Sequence, residues 1–372
     1  MRILIVGHTY VVPENQKKIQ AIATAGTTDV ALVVPRRWHD ELRGPIDATI
    51  MAGASFAAHV LPAWGSGREQ FYVYRATDLG LRAFQPDVLL VEQGAGSFVY
   101  AQCLLYRRLY APRAKAVFFT WWNLPYRARW PLRAVERANL RRSQGGVAGN
   151  DEAAGILRDH GFDKPLLVLP QLGVDAGTFH PGPADDLRRT LGLARFTVGF
   201  VGRFVEGKGL AVLADAMRQA RVDGDLLMVG SGPLASDVRA AAASGGWHDR
   251  LRIVEAVEHQ DVPNYLRAMD VLVLPSIDRP DWKEQFGHVL IEAMACGIPV
   301  IGSDAGEIPR VIGDAGLVVP QGDAAALADA ISRVAASPAL RHDLSEAVLA
   351  RARTRFTHEG LARQLLDFLG SL

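Results

Sequence analysis

Residues 196–217 read FTVGFVGRFVEGKGLAVLADAM and contain the pattern that decides the fold. FTVGFVG (196–202) is an apolar run of strand length, and apolar side chains recur at helical spacing from Leu210 onward. The glycines between these two patterns indicate a tight turn from the strand into the helix. A buried strand followed by such a turn and a helix is the repeating unit of a parallel sheet that is covered on both faces.

The same unit recurs on both sides of this segment. Upstream, helical patterns separate the strand-like runs RILIVG (2–7), DVALVVP (29–35), DVLLVEQ (87–93), KAVFFT (115–120), GGVAG (145–149) and PLLVLP (165–170). Downstream, they separate DLLMVG (225–230), RLRIVE (250–255), DVLVLP (270–275) and GIPVIGS (297–303). We interpret the polar, Gly- and Pro-rich break GVDAGTFHPGPADD (173–186) between the two series as a linker.

The sequence therefore predicts an α/β protein with two doubly wound, Rossmann-like domains that face a ligand cleft. The predicted boundaries are 1–172 for the first domain and 173–352 for the second. Residues 353–372 are predicted to form a C-terminal helix that crosses back to the first domain.

Composition argues against several other classes of protein. No stretch approaches the roughly 18 consecutive apolar residues of a membrane-spanning helix, and the run after Met1 is too short for a secretory signal. Two cysteines cannot form a disulfide framework, and no His/Cys spacing resembles a zinc site. We expect a cytoplasmic protein that holds no metal and, lacking a recognised module, binds no nucleic acid.

The net charge of +1 hides a local asymmetry. Residues 107–142 contain ten Lys or Arg and a single acid, Glu136, which is a local balance of +9. Arg133, Arg137 and Arg141 recur at helical spacing, where like charges repel each other. The aromatic residues near these cations suit binding to the inner face of an anionic membrane, or to a lipid-linked acceptor. The alternative is that the Arg-rich face only reflects an Arg-rich genome composition and that the tryptophans are buried.

The turn at 202–209 predicts a phosphate site. Its glycines permit close backbone approach, and the helix N-terminus offers free N–H groups and about half a positive charge. Arg203 and Lys208 add two cations, which could balance a diphosphate without a metal. The spacing also matches the G-x4-G-K phosphate loop, but Gly209 stands where that loop needs Ser or Thr for magnesium. A Gly-rich turn with solvated charges is the structural alternative.

Two further patterns in the second domain are weaker signals. VGSGP (229–233), which contains Gly230, is a second Gly-rich turn after a strand. Asp223-Gly224-Asp225 matches a D-x-D metal pattern, but its turn-forming residues favour a solvated turn.

The most informative stretch is PSIDRPDWKEQFGHVLIEAMACGIPVIGS (275–303). We expect one apolar helical face, formed by Phe286, Val289, Leu290, Ala293 and Met294. Glu292 points away from that face and Glu284 precedes the helix, with the N–H groups of Phe286, Gly287 and His288 at the helix start. Paired carboxylates with free donors between them suit a sugar or a ribose. The alternative is a helix cap at Glu284 and a solvated Glu292.

GRFVEGKG (202–209), the E-x7-E pair Glu284 and Glu292, and GSDAGEIPRVI (302–312) resemble the retaining glycosyltransferases of family four, which have the GT-B fold. The resemblance implies that Arg203 and Lys208 bind the donor pyrophosphate and that Glu292 binds ribose hydroxyls. It implies that Glu284 contacts the transferred sugar, and it assigns Glu284, Lys208 and Arg203 to catalysis. The remaining implied donor-site positions are Gly202, Gly230, Val257, Phe286, Gly287 and His288.

The implied reaction is metal-independent transfer of a sugar from a UDP- or GDP-sugar to a hydroxyl of a glycan, lipid-linked sugar or natural product. The leaving phosphate assists deprotonation of the acceptor. GHTYVVPEN (7–15) and Trp121-Trp122-Asn123 depart from the family pattern, and His8, Glu92 and Asn123 are the acceptor-side candidates. An ordinary strand-end histidine is the alternative for His8. A nucleotide-sugar epimerase of the same architecture and a non-catalytic nucleotide-sugar binder remain alternative functions.

Overall fold

The computed structural model describes residues 1–40 and 44–372, which form two compact units. The first unit contains Met1–Gly173 and His358–Leu372, and the second contains Val174–Thr357. Each unit is built around its own parallel sheet.

The first unit has a seven-stranded sheet in the order β11-β10-β9-β8-β1-β2-β5. Its strands are β1 (Arg2–Val6), β2 (Asp29–Pro35), β5 (Ala57–Leu61), β8 (Val88–Val91), β9 (Lys115–Thr120), β10 (Gly145–Ala148) and β11 (Leu166–Val168). Two short antiparallel pairs stand apart from it, β3 (Arg37–Asp40) with β4 (Gly44–Asp47) and β6 (Ala63–Trp64) with β7 (Val73–Tyr74). The helices are α1 (Lys17–Thr24), α2 (Leu81–Phe84), α3 (Phe98–Tyr110), α4 (Leu132–Arg142) and α5 (Asp151–Asp159).

Both faces of this sheet are buried, as the continuous apolar strands predict. Along β1, Leu4 and Val6 belong to one apolar cluster while Ile3 and Ile5 belong to another. Successive side chains of a strand point to opposite faces, so the two clusters are the cores on the two sides of the sheet.

The second unit has a six-stranded sheet in the order β14-β13-β12-β15-β16-β17. Its strands are β12 (Phe196–Val201), β13 (Gly224–Val229), β14 (Leu251–Val254), β15 (Val271–Leu274), β16 (Val300–Ser303) and β17 (Leu317–Val319). Its helices are α6 (Asp185–Leu191), α7 (Leu210–Gln219), α8 (Ala235–Ser244), α9 (Val262–Arg267), α10 (His288–Ala295), α11 (Ile308–Ile312), α12 (Ala324–Ala336) and α13 (Pro338–Arg355).

The strand order reverses once in each sheet. Counted within the second unit the order is 3-2-1-4-5-6, with the reversal between β12 and β15. The first unit follows the same order with one added strand, and its reversal lies between β1 and β8. In doubly wound sheets, ligands bind outside the carboxyl ends of the strands at this point.

The chain returns to the first unit through α14 (His358–Ser371), which packs on α1. Leu361, Leu365 and Leu369 enter the apolar cluster that contains Ile3 and Ile5. Their spacing of four residues places them on one face of the helix. Over the residues described, no helix combines the length and the apolar character needed to cross a membrane.

The predicted fold class and the quoted strand-like runs are confirmed, whereas two other sequence interpretations are wrong. The segment 173–186 is not a free linker, because Val174 and Phe179 are buried in the core of the second unit. The Asp223-Gly224-Asp225 pattern is not a solvated turn, because β13 begins at Gly224 and Asp225 is fully buried. Arg195 instead contacts both aspartates, with Nε 3.0 Å from Asp223 Oδ2 and the backbone N 3.1 Å from Asp225 Oδ2.

Candidate functional site

An ion pair spans the strand-order reversal of the second unit. Lys208 follows β12 and Glu284 lies in the segment after β15, and Lys208 Nζ lies 2.5 Å from Glu284 Oε2. The hydroxyl of Ser276, which follows β15 directly, donates to the same oxygen at 3.0 Å. The two charged side chains are only 14% and 10% exposed, so each needs the other as a counter-charge.

The second carboxylate, Glu292, lies one helical turn after the start of α10. The alternative of a solvated Glu292 is wrong, because the residue is buried and its Oε1 lies 2.8 Å from Nε2 of His259. His288 approaches the same oxygen at 4.0 Å, one helical turn before Glu292. Glu292 is therefore held between two histidines rather than by solvent.

The beginning of α10 differs in detail from the expectation. The helix begins at His288, and Gly287 precedes it with a left-handed φ of +79°. Phe286 therefore lies outside the helix, although it still packs against the core of the second unit. The N–H of Leu290 bonds to the Gly287 carbonyl, and Phe286, which lies outside the helix, contributes no N–H group to its first turn.

Glycine is required in the turn at 202–209. Gly209 has a φ of +67°, and a Cβ there would lie 1.9 Å from the carbonyl oxygen of Pro275. Gly209 is also the N-cap residue of α7, and no side chain of the described residues caps that helix end. A Ser or Thr, which the magnesium-dependent phosphate loop needs at this position, would collide with the end of β15. The phosphate-loop alternative is therefore excluded by backbone packing.

The other expected donor positions surround these groups. A Cβ on Gly230, whose φ is +142°, would lie 1.9 Å from the carbonyl oxygen of Gly202, so the ends of β12 and β13 pack backbone against backbone. Val257 follows β14 and packs partly buried against the core. Arg203 is exposed and forms no ion pair with any residue in the described part of the chain.

The first unit places a second polar contact at its own strand-order reversal. His8 follows β1 and Gln93 follows β8, and His8 Nδ1 lies 2.5 Å from Gln93 Nε2. His8 is buried, with its ring centroid 4.2 Å from that of Trp38 and its Nε2 3.6 Å from Glu69 Oε1. It is therefore more constrained than an ordinary strand-end histidine.

A pocket of about 430 Å³ adjoins this contact. Gln93 and Glu69 line it together with the aromatic side chains of Trp121, Trp122 and Tyr126. Aromatic rings supply flat apolar contact, and the amide and carboxylate supply directed hydrogen bonds. This aromatic pocket is the cavity of the first unit that best suits a polyhydroxylated ring.

Two acceptor-side candidates lie beneath the surface. Glu92 is fully buried and accepts hydrogen bonds from Lys18, from Tyr10 at 2.6 Å and from Gln171 at 2.9 Å. Burial and then the charge of Glu92 raise the pKa of Tyr10 far above its usual range, which keeps that hydroxyl a neutral donor. Glu92 thus ties strand ends together instead of facing a ligand, and Asn123 is likewise buried.

Sequence reasoning missed four polar residues of these sites: Ser276, His259, Gln93 and Glu69. Ser276 and Gln93 follow directly or closely on predicted strands, so their position at a carboxyl edge was a usable signal. His259 and Glu69 carried no local signal, because their contacts come from distant parts of the chain.

Part of the second unit matches a known family of proteins. Residues 195–337, which include Lys208, Glu284 and Glu292, match the sequence model of a family described as Glycosyl transferases group 1. The chain is 34% identical over 215 residues to a D-inositol 3-phosphate glycosyltransferase of Pseudarthrobacter chlorophenolicus, covering 55% of this chain and 50% of the relative. It is 31% identical over 221 residues to a 2-deoxystreptamine glucosyltransferase of Streptomyces kanamyceticus, covering 55% of each.

The chain thus spans about half the length of the curated relatives it matches. The fold extends further than the sequence similarity. The crystal structure of Anabaena Alr3699/HepE in complex with UDP aligns with a TM-score of 0.76 at 19% identity, over 100% of both chains. The chain has the GT-B fold, and the segment that matches the group 1 glycosyltransferase model lies in its second unit.

The backbone constraint at Gly209 yields a stability prediction. We expect Gly209→Ser to lower the free energy of unfolding of the second unit by about 1–3 kcal/mol or more, because it adds left-handed strain to a steric clash. Thermal and denaturant unfolding measure this change.

Gly155→Ala is the matched control. Gly155 is exposed within α5, where a Cβ would meet no atom within 4 Å, so this change should raise stability by up to about 1 kcal/mol. Unchanged stability of Gly209→Ser would contradict the packing argument.

Proposed function

We propose that the protein is a retaining, metal-independent glycosyltransferase that moves a sugar from a nucleotide sugar to a hydroxyl acceptor. The observation that carries the proposal is the Lys208–Glu284–Ser276 cluster at the strand-order reversal of the second unit. The cluster lies inside the segment that matches group 1 glycosyltransferases. Its cation, its carboxylate and the uncapped helix start at Gly209 supply the groups that a diphosphate and a sugar require.

The two cations have separate tasks in this proposal. Arg203 has no counter-ion among the described residues and is available to a phosphate. Lys208 is held in place by Glu284 and faces the same turn, so it stabilises the negative charge that grows on the departing diphosphate. Because Glu284 already positions Lys208, this charge needs little reorganisation as the bond to the sugar breaks.

Bond exchange then needs no dedicated protein nucleophile. The acceptor hydroxyl attacks the anomeric carbon on the face that the diphosphate leaves, and the hydroxyl proton passes to the departing phosphate oxygen. Glu284 contacts hydroxyls of the transferred sugar, and its negative charge stabilises an oxocarbenium-like sugar. Glu292, held by His259 and His288, orients ribose hydroxyls, and Gly202, Gly230 and Val257 border the nucleotide.

The donor is a UDP- or GDP-sugar in this proposal. A UDP complex of the structurally similar Anabaena Alr3699/HepE supports the first of these. On the acceptor side, the aromatic pocket of the first unit binds the hydroxyl-bearing ring. Gln93, which lines the pocket, orients that ring, and His8 holds the Gln93 amide in place.

The activity prediction concerns the ion pair. Lys208→Ala and Glu284→Ala should each lower transfer at least tenfold, roughly 1.4 kcal/mol of transition-state stabilisation, because the first removes a positive charge that acts on the departing diphosphate and the second a negative charge that acts on the transferred sugar. The assay follows nucleoside diphosphate release from UDP- and GDP-sugars in the presence of an acceptor mixture. Arg239→Ala, which removes an exposed cation of α8 away from the cluster, should transfer normally.

Incubation with the donor alone separates the alternatives. Isomerised donor without transfer would identify an epimerase, and donor binding with neither transfer nor hydrolysis would identify a binding protein. Near-normal transfer by both cluster variants would contradict the proposed site.

A second prediction concerns metal dependence. Because Lys208 and Arg203 supply positive charge for the diphosphate, transfer should keep its rate in excess EDTA. Initial rates with EDTA, and with added magnesium or manganese, measure this directly. Loss of transfer in EDTA that added metal restores would show that the two cations are insufficient.

We also propose that the cytoplasmic protein contacts the inner face of an anionic membrane through α3 and α4. Leu105 and Leu109 of α3 are 54% and 59% exposed and lie one helical turn apart. Arg108 and Arg142 adjoin Leu105 around a groove of about 510 Å³ between the two helices. Exposed leucines beside arginines suit the headgroup region of an anionic bilayer.

Co-sedimentation tests this surface. The protein should sediment with phosphatidylglycerol vesicles and not with phosphatidylcholine vesicles, since each arginine near an anionic surface contributes about 1 kcal/mol. Leu105→Ser/Leu109→Ser should weaken the binding by removing the apolar contact, whereas Val318→Ser, at a partly exposed position of the second unit, should not. Equal recovery with both kinds of vesicle would remove the membrane proposal.

A further inference from the structure

Part of the basic segment 107–142 surrounds a cavity of the first unit. The cavity has a volume of about 650 Å³, and Arg127, Arg133 and Arg137 line it. Arg133 and Arg137 lie four residues apart on α4, so they share one face of that helix. We call this space the arginine cavity; it lies on a different side of α4 from the groove lined by Arg142.

The buried acid of the cavity does not neutralise these arginines. Glu136 accepts a hydrogen bond from the Tyr126 hydroxyl, and its Oε1 lies 3.1 Å from Nδ1 of His160. The other ring nitrogen of His160 lies 3.1 Å from the Tyr126 carbonyl oxygen. Burial, followed by the bond to Glu136, raises the pKa of Tyr126 well above its usual range, so its hydroxyl stays a neutral donor. Glu136 is thus engaged by uncharged and histidine partners.

The arginines themselves have no counter-ion. The side chains of Arg127, Arg133 and Arg137 are exposed and form no ion pair or hydrogen bond with any residue of 1–40 or 44–372. Asp159, the remaining acid of the lining, forms no ion pair with them either. Two like charges four residues apart on a helix repel each other. An anion bound between them is attracted to both arginines and so offsets that repulsion.

We propose that the arginine cavity binds a phosphate group, as a monoester or a diester, that belongs to the acceptor. Guanidinium groups bind phosphate through paired N–H donors, and they keep their charge at any working pH. Tyr126 lines both the arginine cavity and the aromatic pocket. A hydroxyl-bearing ring in the pocket and its phosphate in the cavity would therefore be neighbours across one side chain.

This inference narrows the proposed acceptor to a phosphorylated or phospholipid-linked hydroxyl compound. It rests on the proposed function only in treating the bound phosphate compound as the acceptor of the transfer. Anion binding by the cavity can be measured without any transfer. The two proposals can therefore fail separately.

Arginine modification by phenylglyoxal, mapped by mass spectrometry on the full chain, tests the cavity. Methyl phosphate is the probe, and sodium chloride at equal ionic strength is the reference. At probe concentrations a few times above the dissociation constant, modification of Arg133 and Arg137 should slow roughly threefold or more. Arg129 and Arg141 are exposed but do not line the cavity, so their rates should not change.

Variants provide the second arm. In Arg133→Gln/Arg137→Gln, methyl phosphate should no longer protect Arg127, whereas Arg129→Gln should leave that protection intact. Circular dichroism confirms that each variant is folded. Equal modification rates of Arg133 and Arg137 in phosphate and in chloride would overturn the proposal, as would equal slowing at Arg129.

Vesicles distinguish the two sources of the phosphate. Protection by methyl phosphate alone assigns the cavity to a water-soluble phosphate ester. Additional protection by phosphatidylglycerol vesicles, confined to the cavity arginines, assigns it to a lipid headgroup. Uniform protection of Arg129, Arg133, Arg137 and Arg141 by vesicles, with none by methyl phosphate, would show simple adsorption and overturn the cavity.

If methyl phosphate protects the cavity but no donor supports transfer, the anion site stands and the proposed function fails. If transfer occurs but methyl phosphate does not protect the cavity arginines, the proposed function stands and the anion site fails.

Discussion

The reversal of strand order at the centre of each sheet is the constraint on which both candidate sites depend. On the two sides of the reversal the crossovers leave in opposite directions, so the loops diverge and the carboxyl ends of two neighbouring strands stay accessible. In the second unit the pair Lys208–Glu284 occupies this point, and in the first unit the contact His8–Gln93 does. Each polar pair is formed by residues that follow adjacent strands but are distant in the chain.

The buried carboxylates show how burial separates structural from functional groups. Glu92 is fully buried and accepts hydrogen bonds from three donors, so its oxygens are not exposed to a ligand from solvent. Glu284 keeps slight exposure and has a lysine and a serine as partners. An unpaired buried charge costs several kcal/mol, so both carboxylates need their cations. What differs is whether solvent, and hence a sugar, can reach the oxygens.

Much of the fold could be predicted because parallel strands buried on both faces are continuous apolar runs. β5 and β17 escaped prediction, since AAHVL and LVV are short and not distinct from neighbouring residues. The interpretation of Asp225 as part of a solvated turn was wrong for a different reason. Its partner Arg195 lies 30 residues away, and no local sequence pattern indicates such a contact. The contact that rules out the alternative of a solvated Glu292 was hidden in the same way, because His259 comes from another segment.

The sequence by itself determined the alternation of strands and helices, the glycines that end β12 and β13, and the residue types of the donor side. It also located the +9 segment, since charge and periodicity are local properties of a chain. Only the tertiary structure decided which of those charges have partners. It paired Lys208 with Glu284, engaged Glu136 through Tyr126 and left the cavity arginines without a counter-ion. Pairing depends on distances between residues far apart in sequence, and only folding sets those distances.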